Sequence, residues 1–151
     1  MESHKKIIIN IDGGSRGNPG PAAFGVIFFD QSGRILKQYS QAIGQATNNE
    51  AEYCGLIFCL KKAKAIFGKT KLADYVFEIR SDSELLVRQM QHRYKVNGEK
   101  IQPLFLEAWN LLIGFSNVEF VAVPREQNIK ADQLVNEVLD KDKQQKVSSL
   151  F

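Results

Sequence analysis

Ile7-Ile8-Ile9-Asn10-Ile11-Asp12-Gly13-Gly14-Ser15-Arg16-Gly17-Asn18-Pro19-Gly20-Pro21 is the stretch that decides the reading of this 151-residue chain. Its first half, residues 6–12, is a β-branched run of the kind that forms a buried strand. From Gly13 onward it is dense in residues that set special backbone angles, and it reads as a turn. Asp12 stands at the junction. A carboxylate that ends an apolar strand is largely desolvated and needs a partner.

Working outward, residues 23–30 and 34–43 read as two further strands joined at Gln31-Ser32-Gly33, which gives an antiparallel meander. Residues 48–67 have helical apolar spacing, with Gly68 as the C-cap. A short strand follows at 75–80, then helices at 83–92 and about 102–115, a fifth strand at 118–123 and a last helix at 130–140. The order β-β-β-α-β-α-α-β-α predicts an α/β fold: a five-stranded mixed sheet, meander plus parallel strands, flanked by helices.

Three more acids occupy places comparable to that of Asp12. Asp82 follows the fourth strand, Glu52 lies one turn into the long helix, and Asp132 falls early in the last one. If the first and fourth strands are parallel neighbours, their C-terminal ends put Asp12 and Asp82 at one edge, where open α/β sheets place their sites. Glu52 and Asp132 would join them from positive helix N-termini. Taken singly, Asp82 reads as a helix N-cap beside Ser83 and Asp132 as an ordinary first-turn acid. Taken together, clustered carboxylates repel one another unless a cation sits among them, and hard divalent cations prefer oxygen ligands.

The bulk numbers fit one soluble domain: 44% hydrophobic, 25% charged and a net charge of +3, which permits nucleic-acid binding without arguing for it. Cys54 and Cys59, five apart in one helix, read as small buried side chains rather than a disulfide or a metal site. His4 and His92 have no ligand-like neighbours. Neither a signal peptide nor a membrane-length apolar run is visible, so an intracellular, cytoplasmic setting is the default expectation, and a monomer is the simplest one.

The residues resemble type 1 ribonucleases H. Residues 11–21 match the opening signature of that family. Thr47-Asn48-Asn49-Glu50-Ala51-Glu52, Ser81-Asp82-Ser83 and Asn128-Ile129-Lys130-Ala131-Asp132 match its later motifs in the same order. The resemblance spans roughly residues 6–140. It implies endonucleolytic hydrolysis of the RNA strand of RNA/DNA hybrids, leaving 5′-phosphate and 3′-hydroxyl ends. Asp12, Glu52, Asp82 and Asp132 would hold two Mg²⁺ ions, with Mn²⁺ as a substitute, about 3.5–4 Å apart across the scissile phosphate. By family position, Asn18, Asn48 and Asn49 would test for the 2′-hydroxyl and Thr47 would meet a DNA-strand phosphate. Gly13, Gly14, Ser15 and Ser83 would also lie against substrate.

Two departures matter. The Lys- and Trp-rich insertion of the better-known bacterial pattern is replaced by residues 92–100, short and modestly basic, as in the archaeal and reverse-transcriptase-like branch. Hybrid binding should therefore be weaker and salt-sensitive. The loop before the last acid, Pro124-Arg125-Glu126-Gln127-Asn128, carries no His; Arg125 is the candidate replacement, able to meet a phosphate with a bidentate fork. Residues 141–151 read as a polar tail outside the 1–140 domain. Within it, residues 144–151 resemble the short motif by which replication enzymes hook a sliding clamp, although Leu150 stands where an aromatic is commoner. The alternatives left open are a non-catalytic hybrid- or RNA-binding module and another nuclease of the same fold.

Overall fold

The structure, a computed structural model, describes residues 5–149. The chain runs β1 (Lys5–Ser15), β2 (Gly20–Phe29), β3 (Ile35–Ala46), α1 (Asn48–Asp74), β4 (Tyr75–Ser81), α2 (Glu84–Met90), α3 (Ile101–Leu111), β5 (Asn117–Ala122), a 3₁₀ turn (Arg125–Gln127) and α4 (Ile129–Ser149). The strands form one sheet in the order β3-β2-β1-β4-β5. β1 pairs antiparallel with β2 and parallel with β4, and β5 extends the parallel half. The predicted class, strand count and mixed direction are the observed ones.

Alternation along β1 sorts its side chains. Ile7, Ile9 and Ile11 join Phe24, Val26 and Phe28 of β2 in the core beneath α1, where Tyr53, Leu56 and Leu60 are buried against them. The other sheet face is covered by α4, whose Val135 and Leu139 pack on Ala23. Burying an aliphatic side chain of this size contributes about 1.5–3 kcal/mol, so the two faces hold both helices firmly.

The strand reading stopped too early. β1 continues through Gly13, Gly14 and Ser15, which pair with Phe24, Ala23 and Ala22, so only Arg16–Pro19 is turn. Gly13 is extended because the helix above leaves it no side-chain space. A Cβ there would lie 2.4 Å from the Ala51 carbonyl carbon and the Glu52 nitrogen. Gly68 does end a helical segment, at φ 72°, but a further stretch of helix follows to Asp74. The last helix also outruns its predicted end, continuing to Ser149 through most of the stretch read as tail. Residues 141–149 hold no Gly or Pro, and Lys and Gln are good helix formers. The last two residues of the clamp-like motif lie outside the described residues. Among those described, no helix is long and apolar enough to cross a membrane.

Candidate active site

Two close approaches assemble the site around Asp12. Its partner across the β1–β2 ladder is Gly25. A Cβ on Gly25 would meet the Ala131 carbonyl at 2.7 Å, so the bare glycine lets the first turn of α4 settle beside Asp12 and brings Asp132 with it. One residue on, Gly13 admits the Ala51–Glu52 peptide of α1 from the other face. Asp82 arrives from the parallel neighbour β4, immediately after Ser81. The Ser81 carbonyl accepts from Val123 N at 2.9 Å and its hydroxyl accepts from Ser83 N at 3.0 Å, which fixes the bend at Asp82.

The four acids therefore line one cleft of about 330 Å³, with Gly13, Gly14, Ser15, Asn48 and Arg125 also in its wall. Asp12 is only 6% exposed. Burial, then the charges of Asp82 and Asp132, push its carboxyl up to about 8, and Asp132 lies within hydrogen-bonding reach. Burial lifts Glu52 to about 7, although a hydrogen bond from Ser83 pulls the other way. Burial also raises Asp82, against the opposing charge of Arg125. Carboxyls raised together in one cleft mark a candidate functional site.

The donor set fits divalent metal. Glu52 Oε2 is buried with no hydrogen-bond partner, and Asp12 is in contact with both Asp82 and Asp132. These are oxygen ligands of the kind Mg²⁺ or Mn²⁺ takes. Among the described residues, no three acids already form a closed cage around a single point.

The remaining motif residues divide by what already occupies them. Thr47 is the N-cap of α1: its hydroxyl accepts from Glu50 N, and Glu50 Oε1 accepts in return from Thr47 N. Asn48 instead uses its Oδ1 to accept from Ser15 N at 2.9 Å, while its own N–H donates to Asn18 Oδ1 at 3.1 Å. These bonds tie the glycine-rich turn to the head of α1. Asn49 is exposed in the first turn of that helix. Asn18, Thr47 and Asn49 lie beside the cleft rather than in its wall. Ser83, not Asp82, caps α2 by accepting from Leu86 N. The Asp82 carboxylate instead lines the cleft, where it meets Asp12.

The reverse transcriptase-like family profile matches residues 10–138, from β1 well into α4. The chain belongs to that family. It is an RNase H-like domain, and several relatives are named ribonuclease H or HI. A ribonuclease HI of Halobacterium salinarum is 41% identical over 129 residues, covering 85% of this chain and 62% of that protein. A bifunctional protein of Mycobacterium tuberculosis is 42% identical over 136 residues, 89% of this chain. The chain spans only 36% of the length of that relative. Among solved structures, LC11-RNase H1 in complex with an RNA/DNA hybrid superposes with TM-score 0.85 at 46% identity, over 90% of this chain and 98% of that one. The halobacterial RNase H1 crystal structure gives TM-score 0.81 at 39% identity, over 90% and 98%.

The RNase H-like domain also uses residues to which the motifs assign no role. Asn128, 1% exposed, donates from Nδ2 to the Ile11 carbonyl at 2.8 Å, and its own carbonyl accepts from Asp132 N. It thus ties the last acid to the strand of the first. Asn136 donates to Asp132 Oδ2 at 3.3 Å; its place four residues after Asp132, on the same helical face, was the available signal. Buried Tyr53, next to Glu52, donates to Gln89 Oε1 at 2.6 Å, and Gln89 Nε2 donates to the Lys95 carbonyl. That chain of bonds pins the short segment between α2 and α3. No local pattern announces it, because its members lie 36 residues apart. Both cysteines are free, and burial raises the Cys59 thiol.

Proposed function

We propose that this domain hydrolyses the RNA strand of RNA/DNA hybrids endonucleolytically, leaving 5′-phosphate and 3′-hydroxyl ends. The observation that carries the reading is the meeting of four carboxylates from β1, α1, β4 and α4 in one cleft, with Glu52 Oε2 buried and unpartnered. A module that only bound nucleic acid would gain nothing from acids facing phosphate. The relatives named ribonuclease H, and one solved with a hybrid bound, support the substrate class.

Asp12, Glu52, Asp82 and Asp132 would hold two Mg²⁺ or Mn²⁺ ions. The chemistry supplied by cations bound there would be an acidified water and positive charge to offset the leaving 3′-oxygen. The chain's own groups do the rest. Asp12 and Asp82, joined to adjacent parallel strands, form the rigid floor on which a phosphate is oriented. Arg125, whose charge already acts on Asp82, is suited to meet a non-bridging phosphate oxygen. The Asn18 and Asn48 amide oxygens are engaged inside the protein, so their NH₂ groups remain as donors toward a 2′-hydroxyl oxygen. Contacts of this kind recognise the sugar and the backbone, so cleavage is largely sequence-independent.

The test incubates labelled RNA/DNA, RNA/RNA and DNA/DNA duplexes with the protein, with and without Mg²⁺ or Mn²⁺. Cleavage restricted to the RNA strand of the hybrid and lost in Asp82→Asn is expected. A hybrid that is bound but left intact with either metal would reduce the domain to a binding module.

A further inference from the structure

Arg16 lines the acid cleft, yet the chemistry above gives it no task. Its backbone is fixed: Arg16 N donates to the Pro21 carbonyl at 2.9 Å, and the preceding Ser15 is bonded to Asn48. From that base the guanidinium crosses to α4. Its Nη2 meets Asp140 Oδ1 at 2.7 Å and lies 3.5 Å from the Asn136 carbonyl oxygen. Asp140 is eight residues beyond Asp132, about 12 Å along the helix.

We propose that Arg16 is a backbone-phosphate contact for the hybrid, held at the cleft rim by Asp140 and released to the nucleic acid when a duplex binds. The inference rests on the hybrid-cleaving function proposed above. The Arg16 and Asp140 side chains are 39% and 63% exposed, so water screens their pairing and exchange of partner is easy. A guanidinium carries five N–H donors. Both contacts to α4 run through Nη2, which leaves the rest of the fork open to an anion. A phosphate offers the bidentate, charge-assisted partner that such a fork matches best.

The electrostatics ask for this contact. Four carboxylates face a polyanion, and Arg16 and Arg125 are the cations in the cleft wall. The net charge is only +3, and the segment at 92–100 is short. Asp140 therefore acts as a restraint, cancelling part of the charge that the substrate needs. At the cleft rim, one to two turns of α4 beyond Asp132, Arg16 meets a phosphate beside the scissile one, so its effect falls on affinity.

The experiment measures anisotropy of a labelled RNA/DNA hybrid across a salt series, in the Asp82→Asn background to block cleavage. Arg16→Ala should weaken binding about tenfold at low salt and lower the slope of log K against log[salt] by about one. Arg16→Lys should keep the slope and recover only part of the affinity. Asp140→Asn should tighten binding about two- to threefold when Arg16 is present and have no effect beside Arg16→Ala. An unchanged slope in Arg16→Ala overturns the inference. So does an Asp140→Asn effect that persists without Arg16, since bulk charge then explains it. Hybrid cleavage by the unmutated chain is scored first: its absence overturns both readings, whereas cleavage with an unchanged slope overturns this one alone.

Discussion

Withdrawing divalent metal and raising the pH should destabilise this domain, and the acid cluster sets the size of the effect. Burial and neighbouring carboxylates lift Asp12 from 3.8 to about 8 and Glu52 from 4.5 to about 7. Between those limits the folded chain keeps a proton that the unfolded chain has released. Stability from this source is therefore greatest near pH 4, is lost as pH rises, and levels off once the folded carboxyls ionise. One such proton corresponds to about 1.4 kcal/mol per pH unit. Because the cluster titrates as a unit, we count one proton, so moving from about pH 5 to about pH 7 removes roughly 3 kcal/mol. For a domain of this size the melting temperature should fall by roughly 6–12 °C. Thermal melts followed by circular dichroism in EDTA measure it, with Asp12→Asn as the comparison. The variant should flatten the pH dependence, and Mg²⁺ should raise the melting temperature more at the alkaline end, where it no longer competes with a proton. A metal-free melting temperature that is flat or rises over this range, or that falls equally in Asp12→Asn, would refute the reasoning.

Gly13→Ala should cost roughly 3 kcal/mol or more and abolish cleavage, because the new methyl collides with the Ala51–Glu52 backbone at 2.4 Å; urea unfolding and a hybrid-cleavage assay read both. Asn128→Ala should destabilise by about 1–3 kcal/mol, leaving the Ile11 carbonyl unpaired, and should lower turnover by freeing the head of α4. Arg125→Ala should lower kcat at least about tenfold with stability changed by no more than about 0.5 kcal/mol, since the side chain is exposed; loss of stability in step with activity would argue against a role at the phosphate.

The periodicities of the strands and long helix, the Gly68 break and the positions of the four acids are all legible along the chain. Each is a matter of a few neighbouring residues: alternation, helical spacing, a glycine or an acid at an element's end. Boundaries were less legible where packing overrode local preference. Gly13 and Gly14 look like turn formers, but α1 and a β2 partner hold them extended. Ser83 and Asp82 are both good caps by type, and only the bend at Ser81 decides which one faces Leu86 N.

Element order and motif order alone determined a mixed α/β fold and the four acids suited to metal. Tertiary structure alone decided how those acids meet: Asp12 opposite Gly25, Asn128 bonded to Ile11 across 117 positions, and Arg16 paired with Asp140. The physical reason is range. Backbone preference and amphipathic spacing act within a turn or a strand pair, whereas a carboxylate's partner is set by which helix can approach a bare glycine on a strand that is remote in sequence.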